Sequence, residues 1–104
     1  MQERSVFLVV AKIRAKAEAV ETLAAMFAEM VAWVVRNESA TLAYRCGRST
    51  DDPNLFVFLE RYASQLAFRE HTASEKFLEL AAGIQGLVEG AIEIETYDEL
   101  TSEA

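Results

Sequence analysis

The stretch LFVFLERY, residues 55–62, contains the strongest strand signal in the chain, because its first five residues are all aromatic, β-branched or aliphatic. The preceding stretch LAYRCGR, residues 42–48, alternates between two faces as a strand does. The six residues between them, 49–54, are dense in turn formers, and Pro53 has a fixed φ angle. Two strands joined by such a segment predict a β-hairpin.

A strand and a long helix are predicted before the hairpin. Residues 6–14, VFLVVAKIR, form a β-branched and aromatic run whose end alternates between apolar and basic side chains. From Ala17 onwards the apolar residues follow the period of one helix face. That stripe is formed by Val20, Leu23, Phe27, Met30, Val31 and Val34. The change of period therefore places the start of the helix close to Ala17.

Two short helices and a final strand are predicted after the hairpin. A helix over residues 65–71 is followed by a second one, which either Thr72 or Ser74 is placed to cap. The stretch AIEIETY, residues 91–97, then alternates cleanly as a strand. We expect residues 98–104 to form an acidic, frayed tail.

The resulting order, β-α-β-β-α-β, is that of the ferredoxin-like split βαβ fold, with the second helical region broken near Thr72. This is an α+β fold in which both helical regions cover one face of a four-stranded antiparallel sheet. The 104 residues are too few for two domains, so we expect residues 1–104 to be a single domain with its core at 6–97.

A homodimer is predicted because both faces of the third strand are apolar. Phe56, Phe58 and Tyr62 alternate with Leu55, Val57 and Leu59. The helices cover only one face of such a sheet, and the other face would ordinarily be polar. The chain has no spare element to cover it. A second copy of the same sheet is the simplest cover, which gives a closed two-fold dimer.

Composition and charge exclude several classes of protein and of site. The net charge of −7 argues against nucleic-acid binding, since the ten basic residues are scattered. One cysteine and one histidine cannot form an intrachain disulfide, a multi-cysteine metal site or a histidine-rich one. No apolar run is long enough to span a membrane, and no signal-type segment follows the N-terminus. We therefore expect a cytoplasmic protein without a metal, nucleic-acid or membrane partner.

Short patterns in the second half of the chain carry a family resemblance. They are LERY at 59–62, AFREH at 67–71, SEKF at 74–77 and an Asp-x-Pro-x-x-Phe pattern at 51–56. The order and spacing of these patterns resemble those of the antibiotic biosynthesis monooxygenase family. The resemblance extends over residues 6–97. Members of the family typically show Glu-x-Trp or Glu-x-Tyr at the end of the third strand, then Ala-x-x-x-His and Ser-x-x-Phe. The resemblance implies a dimeric α+β barrel.

The chain also departs from the family pattern. Many members carry Pro-Gly-Cys before the second strand, where this chain has Ser39, Ala40 and Thr41, and Tyr62 stands where Trp is commoner. The haem-degrading branch uses an Asn, a Trp and a haem-ligating His. An ungapped alignment gives Ala11, His71 and Ala81 at those three places. Haem degradation is therefore not expected, and the resemblance implies catalysis without a cofactor or metal.

His71, Tyr62 and Glu60 are the candidate catalytic residues. The ordinary pKa of histidine lies near neutrality, and the resemblance implies that His71 lies at the mouth of a pocket and acts as the base. The alternative is a histidine that only forms a hydrogen bond at a helix end. Glu60 lies among apolar residues, so its carboxylate either has a raised pKa or pairs with Arg45 or Arg48 of the neighbouring strand.

The candidate substrate-binding residues are Tyr44, Arg45, Phe56, Phe58 and Phe68. The aromatic rings would form the wall of an apolar pocket, and Tyr44, Tyr62 or Arg45 would donate hydrogen bonds to a substrate anion. The two tyrosines could instead be ordinary core residues. Cys46 is expected to be a small buried apolar residue.

The resemblance implies a monooxygenase that needs no cofactor and acts on a small phenolic or anthrone-like substrate inside a homodimer. Two alternatives stay open. Relatives include isomerases of small phosphorylated or oxygenated molecules, which would need arginines such as Arg45 and Arg61 in the pocket. The third possibility is a dimer that binds a hydrophobic metabolite without catalysis, because fold does not dictate function.

Overall fold

The computed structural model describes residues 5–102. The elements are β1 Phe7–Arg14, α1 Val20–Asn37, β2 Thr41–Arg48, β3 Leu55–Tyr62, α2 Gln65–Ala73, α3 Glu75–Gly83 and β4 Glu93–Asp98, with a 3₁₀ turn at Ala17–Ala19. The sheet order is β2-β3-β1-β4, and each neighbouring pair is antiparallel. The predicted ferredoxin-like α+β fold is therefore confirmed.

The core lies between the sheet and α1, and alternation along the strands builds it. Val9, Ala11 and Ile13 of β1 are buried on the face that the helices cover. The apolar stripe of α1 packs on this face. Phe27 of α1 meets Phe56 and Phe58 of β3 edge to face, with ring centroids 5.2 and 5.0 Å apart.

The opposite face of the sheet, called the outer face below, carries apolar side chains without any helix over it. The strand register places Leu8, Val10, Val57, Leu59 and Tyr97 there. Leu59 is 50% exposed and Tyr97 is 48% exposed. The second apolar face predicted from residues 55–62 is thus present on the sheet.

The C-terminal end of the sheet differs from the prediction. The last strand begins at Glu93, because a loop with positive φ at Gly86 and Gly90 precedes it. The strand includes Asp98, and Glu99 donates its backbone N–H to the carbonyl of Val6 at 2.9 Å. The tail that was predicted to begin at Asp98 therefore begins no earlier than Leu100. Residues 103 and 104 of that tail lie outside the described part of the chain.

The break between α2 and α3 lies at Ser74. This residue has an extended backbone, and its hydroxyl accepts a hydrogen bond from the backbone N–H of Phe77 at 3.1 Å. Of the two predicted caps, Ser74 is therefore the one used. The break brings His71, in the last turn of α2, next to Phe77 in the first turn of α3, with ring centroids 5.2 Å apart.

Within residues 5–102, no helix combines the length and the apolar character needed to cross a membrane.

Candidate functional site

A cavity of about 110 Å³ lies between the helix-covered face of the sheet and the helices α2 and α3. Its walls are mostly aliphatic and aromatic. The polar side chains that line it are those of Tyr44, Glu60, His71 and Thr72. An apolar concave site with a few convergent polar groups is the usual form of a small-molecule binding site.

His71 is buried at one wall of this cavity and is held by a carboxylate from behind. Its Nδ1 lies 2.9 and 3.1 Å from the two carboxylate oxygens of Glu38. A carboxylate only accepts hydrogen bonds, so Nδ1 carries the proton and donates it. In the neutral ring the lone pair is then on Nε2. Burial lowers the pKa of His71, while the hydrogen bond and the charge of Glu38 oppose this shift.

Glu38 is a functional candidate that sequence reasoning missed. It directly follows α1 and is 33 residues away from His71 in the chain. The hydroxyl of Thr41 donates to Glu38 Oε1 at 2.7 Å and so holds the carboxylate in place. One signal was available, because a carboxylate just beyond a helix C-terminus is electrostatically unfavourable unless another group compensates it.

Glu60 is a buried carboxyl group bound to a tyrosine. The hydroxyl of Tyr62 donates to Glu60 Oε1 at 2.6 Å. Burial raises the pKa of Glu60 to about 7, and the hydrogen bond from Tyr62 opposes this rise. Of the two readings of Glu60 made from sequence, the structure favours the raised pKa.

The predicted ion pair between Glu60 and a neighbouring arginine is wrong. Arg45 is opposite Leu59 in the register and is exposed on the outer face. The guanidinium of Arg48 lies 5.1 Å from the centre of the Phe56 ring, and its Nη1 lies 3.7 Å from the carboxylate of Glu21. Both arginines are thus directed away from Glu60.

Tyr44 completes the polar part of the cavity wall. It pairs with Glu60 across the two strands, and its ring centroid is 5.1 Å from that of His71. Burial, followed by the charges of Glu60 and Glu38, raises the pKa of Tyr44, so its hydroxyl remains a hydrogen-bond donor.

Three polar atoms of these residues border open space. Tyr44 Oη, Glu60 Oε2 and His71 Nε2 have no hydrogen-bond partner among residues 5–102. In the same range, every polar side-chain atom that is completely inaccessible to solvent has a hydrogen-bond partner. These three atoms therefore touch space that solvent can reach. The cavity is the space that the three residues share.

The structure brings five of the eight predicted site residues to this cavity. They are Tyr44, Phe58, Glu60, Phe68 and His71. Tyr62 lies behind Glu60, fully buried, and its ring centroid is 5.5 Å from that of His71. It supports the wall without being part of it.

Two predicted binding residues lie elsewhere. Phe56 is buried on the correct face but packs on Phe27, beyond the end of the cavity. Arg45 is on the outer face, because adjacent residues of a strand have side chains on opposite faces and Tyr44 already faces inwards. Sequence alone could have excluded the simultaneous use of Tyr44 and Arg45.

The charge of the cavity wall restricts its chemistry. Among residues 5–102, no lysine or arginine lines the cavity, and no three His, Cys, Asp or Glu side chains are grouped so that they could hold a metal ion. Cys46 is half-buried on β2, and burial raises the pKa of its thiol to about 11. A thiol with that pKa is a poor nucleophile at neutral pH.

Solved structures of other proteins share this fold over almost the whole chain. A protein named antibiotic biosynthesis monooxygenase is 27% identical, with a TM-score of 0.84, and the alignment covers 91% of this chain and 99% of that one. A Mycobacterium tuberculosis protein is 25% identical, with a TM-score of 0.88 and coverage of 96% and 100%. A Shewanella oneidensis protein is 27% identical, with a TM-score of 0.83 and coverage of 92% of both chains.

The sequence itself also matches a family model. No curated protein matches the sequence. The model of the family described as antibiotic biosynthesis monooxygenase matches residues 6–83, which is well over half of the chain. This range contains β1 to α3, and with them Glu38, Tyr44, Glu60 and His71. The chain therefore belongs to the antibiotic biosynthesis monooxygenase family.

Proposed function

We propose that this protein is a cofactor-independent monooxygenase that oxidises a small aromatic substrate, a quinol or an anthrone-like compound, in the cavity. The observation that carries the proposal is the geometry of His71, whose Nδ1–H is bound to Glu38 while its ring lines an apolar cavity. Such an imidazole has its lone pair on Nε2 and can accept a proton from a substrate. The family match supports the reaction class.

The proposed reaction consumes only the substrate and molecular oxygen. His71 removes a proton, and the electron-rich substrate anion forms a carbon–oxygen bond with O₂. The resulting hydroperoxide loses water. In an anthrone, a CH₂ group and O₂ thereby become a carbonyl group and H₂O; in a quinol, the oxygen atom bonds to a ring carbon that loses its hydrogen, so that the quinol and O₂ become a hydroxyquinone and H₂O. The substrate supplies all four electrons, one oxygen atom stays in the product, and the other leaves as water.

Tyr44 and Glu60 have separate parts in this proposal. The hydroxyl of Tyr44 donates a hydrogen bond to the oxyanion that forms when the substrate loses its proton. Glu60 has a pKa of about 7, so a large fraction of it is protonated near neutral pH. In that form it can supply the proton that the departing hydroxide needs. The apolar remainder of the wall keeps water away from the anion.

The test is oxygen uptake with a panel of quinols and anthrones, compared with the uptake in buffer alone. We expect His71→Ala and His71→Gln to lower the rate by about 100-fold, which is the usual contribution of a general base. Arg69→Ala, an exposed position on the same helix, is the matched control and should keep the rate. An unchanged rate in both His71 variants would exclude His71 as the base, and a flat trace with every compound would contradict an oxygenase.

The isomerase alternative is not favoured. A phosphorylated substrate would need Arg45 and Arg61 in the pocket, and both lie on the outer face. Arg61 is bound there by Glu99, with two nitrogen–oxygen distances of 2.9 Å. A metabolite-binding protein without catalysis would use the same cavity, and the oxygen-uptake experiment separates it from the enzyme.

We further propose that two copies pack through the outer face and that the dimer is cytoplasmic. The apolar residues of that face support the interface, and the charges at its two edges support one orientation. Arg45 is on the outer face of the edge strand β2, while Glu93 and Glu95 are on the outer face of the other edge strand, β4. A two-fold axis parallel to the strands places β2 of one copy over β4 of the other, so these opposite charges meet.

A further inference from the structure

On the basis of the proposed function, we propose that the substrate is an uncharged phenol or quinol with a single aromatic ring, and that the cavity excludes fused-ring compounds and anions. This narrows the substrate class. It follows from the volume of the cavity, from the rigidity of its walls and from the charges around it.

The volume of the cavity suits one aromatic ring. It measures about 110 Å³. An apolar protein cavity of about 150 Å³ is known to hold benzene. A second or third fused ring therefore either stays outside the cavity at its open β4 end, where it is not buried, or needs wall side chains to move. Protein interiors are close-packed, so such a movement costs free energy.

The wall on the sheet side cannot recede. It includes Val9, Ala11 and Ile13 of β1, an inner strand of the sheet, together with Phe58 of β3. Hydrogen bonds join β1 to β3 on one side and to β4 on the other. Any outward movement of this wall would break the sheet.

The wall on the helix side is tied to α1. It includes Leu80 of α3. A Cβ atom on Gly83, at the end of α3, would lie only 2.9 Å from Cε of Met26, so the two helices are in close contact there. At the start of α3, Lys76 Nζ lies 4.0 Å from the carboxylate of Glu29 on α1. Both ends of α3 thus contact α1, which limits expansion of the cavity.

The charges around the cavity select a neutral ligand. Glu60 lines it, Glu38 lies directly behind His71, and within residues 5–102 no lysine or arginine compensates for them on the wall. A carboxylate or phosphate would enter an apolar site beside two acidic groups without a cation to bind it. A neutral phenol avoids that cost and becomes an anion only after proton transfer to His71.

The polar and apolar ends of the cavity also orient the ring. Tyr44 and Glu60 belong to β2 and β3, whereas Ile92 and Ile94, which are exposed, lie at β4 on the other edge of the sheet. The hydroxyl that loses its proton therefore lies at the β2 side, and the hydrocarbon edge of the ring faces the isoleucines. Entry is from the β4 side, where the wall is open.

The test measures binding without turnover, by calorimetry under anaerobic conditions. The ligands are hydroquinone, gentisate, 1,4-dihydroxynaphthalene and anthrone, so that ring number and charge vary separately. We expect hydroquinone to bind at least tenfold more tightly than each of the other three. Equal or tighter binding of anthrone or dihydroxynaphthalene would overturn the size limit, and equal or tighter binding of gentisate would overturn the charge limit.

Cavity variants make the size argument specific. Leu80→Ala should improve the binding of dihydroxynaphthalene about tenfold, whereas Leu78→Ala, an exposed position on the same helix that does not line the cavity, should not change it. Ile94→Ala enlarges the open end and replaces Leu80→Ala if that variant does not fold. No gain in either folded variant would contradict the assignment of the cavity as the binding site.

Binding and oxygen uptake separate this inference from the proposed function. Hydroquinone that binds with the expected selectivity but causes no oxygen uptake would support the substrate class and contradict the monooxygenase. Oxygen uptake with anthrone and not with hydroquinone would support the monooxygenase and overturn the single-ring substrate.

Discussion

His71 and Glu60 are two proton-binding residues whose pKa values change in opposite directions for the same reason. Burial penalises the charged form of each group, so it lowers the pKa of the imidazole and raises that of the carboxyl group. Near neutral pH the histidine is therefore a free base, and a large fraction of Glu60 is the neutral acid. A base and an acid side by side in one apolar cavity are what a proton abstraction followed by a protonation requires.

Glu38 positions His71, which predicts a measurable effect when its charge is removed. In Glu38→Gln the amide oxygen can still accept the Nδ1–H bond, but the charge that favours protonated His71 is lost. We expect a lower pKa of His71 by NMR titration, and in Glu38→Ala also a loss of the preference for the Nδ1–H tautomer. Oxygen uptake should fall by about tenfold in Glu38→Ala, because a disordered base transfers protons less efficiently.

Glu70→Gln is the matched control for Glu38, since Glu70 is an exposed acid on the helix that carries His71. Its His71 titration should equal that of the unaltered protein. If Glu38→Ala left both the tautomer and the pKa of His71 unchanged, the positioning role would be refuted, whatever the effect on oxygen uptake.

Glu60 predicts a pH dependence of stability with a definite sign. Its folded-state pKa of about 7 is above the ordinary value of 4.5, so the folded state binds the proton more tightly than the unfolded state. The contribution of Glu60 to stability is fully present below pH 4.5 and is lost as the pH rises through 7. Relative to Glu60→Gln, the unaltered protein should lose about 1 kcal/mol per pH unit in this window.

Urea unfolding at several pH values measures this difference. Glutamine keeps an oxygen that accepts the hydrogen bond from Tyr62, so it imitates the protonated acid. Glu70→Gln, an exposed position on α2, is the control. Parallel stability curves for Glu60→Gln and the unaltered protein would show that the carboxyl group ionises as easily in the folded state as in the unfolded one.

At the level of secondary-structure elements, the junction of α2 and α3 determines the shape of the site. The Ser74 hydroxyl caps α3, and its own hydrogen donates to the carbonyl of His71 at 2.9 Å. The same serine thus ends the helix that carries His71 and begins the helix that carries Phe77 and Leu80, so it joins the two helical parts of the cavity wall. A continuous helix would carry Phe77 and Leu80 away from the cavity.

Ser74→Ala should lower the free energy of unfolding by about 1 kcal/mol, the usual cost of removing an N-cap. Ser64→Ala removes the equivalent cap of α2, where the Ser64 hydroxyl accepts from the N–H of Ala67 at 3.1 Å, and should cost a similar amount. Ser74→Ala should in addition weaken ligand binding, because Ser74, unlike Ser64, lies at the junction of α2 and α3 and forms hydrogen bonds with both helices. Equal binding in both variants would argue against that connection.

At the level of the whole molecule, the outer face predicts self-association. Leu59 is half-exposed there, so Leu59→Arg should leave the subunit folded while placing a charge in the proposed interface. Light scattering after gel filtration should show a mass of twice 11.6 kDa for the unaltered protein and 11.6 kDa for the variant. Leu78→Arg, equally exposed but on the helix side, should keep the larger mass. A monomeric unaltered protein at micromolar concentration would contradict the dimer.

The order of the elements could be predicted from the sequence because apolar periodicity is a local property. The period changes near Ala17, and residues 55–62 are apolar on two faces whatever the rest of the chain does. His71 and Glu60 could be singled out in the same way, as ionisable residues among apolar neighbours. Boundaries were less accurate, and β4 shows why: Glu99 is held by the backbone of Val6, which is distant in sequence.

Only the folded chain decided which side chains meet. Glu38 contacts His71, 33 residues further along the chain, because α1 ends beside the last turn of α2. A local sequence pattern cannot predict that these two residues lie close together. The inward side of β2 depends on its pairing with β3, which shifts register between Thr41 and Ala43 and sets Tyr44 inwards and Arg45 outwards. Periodicity determines that a strand has two faces, whereas pairing and packing determine which of them encloses the cavity.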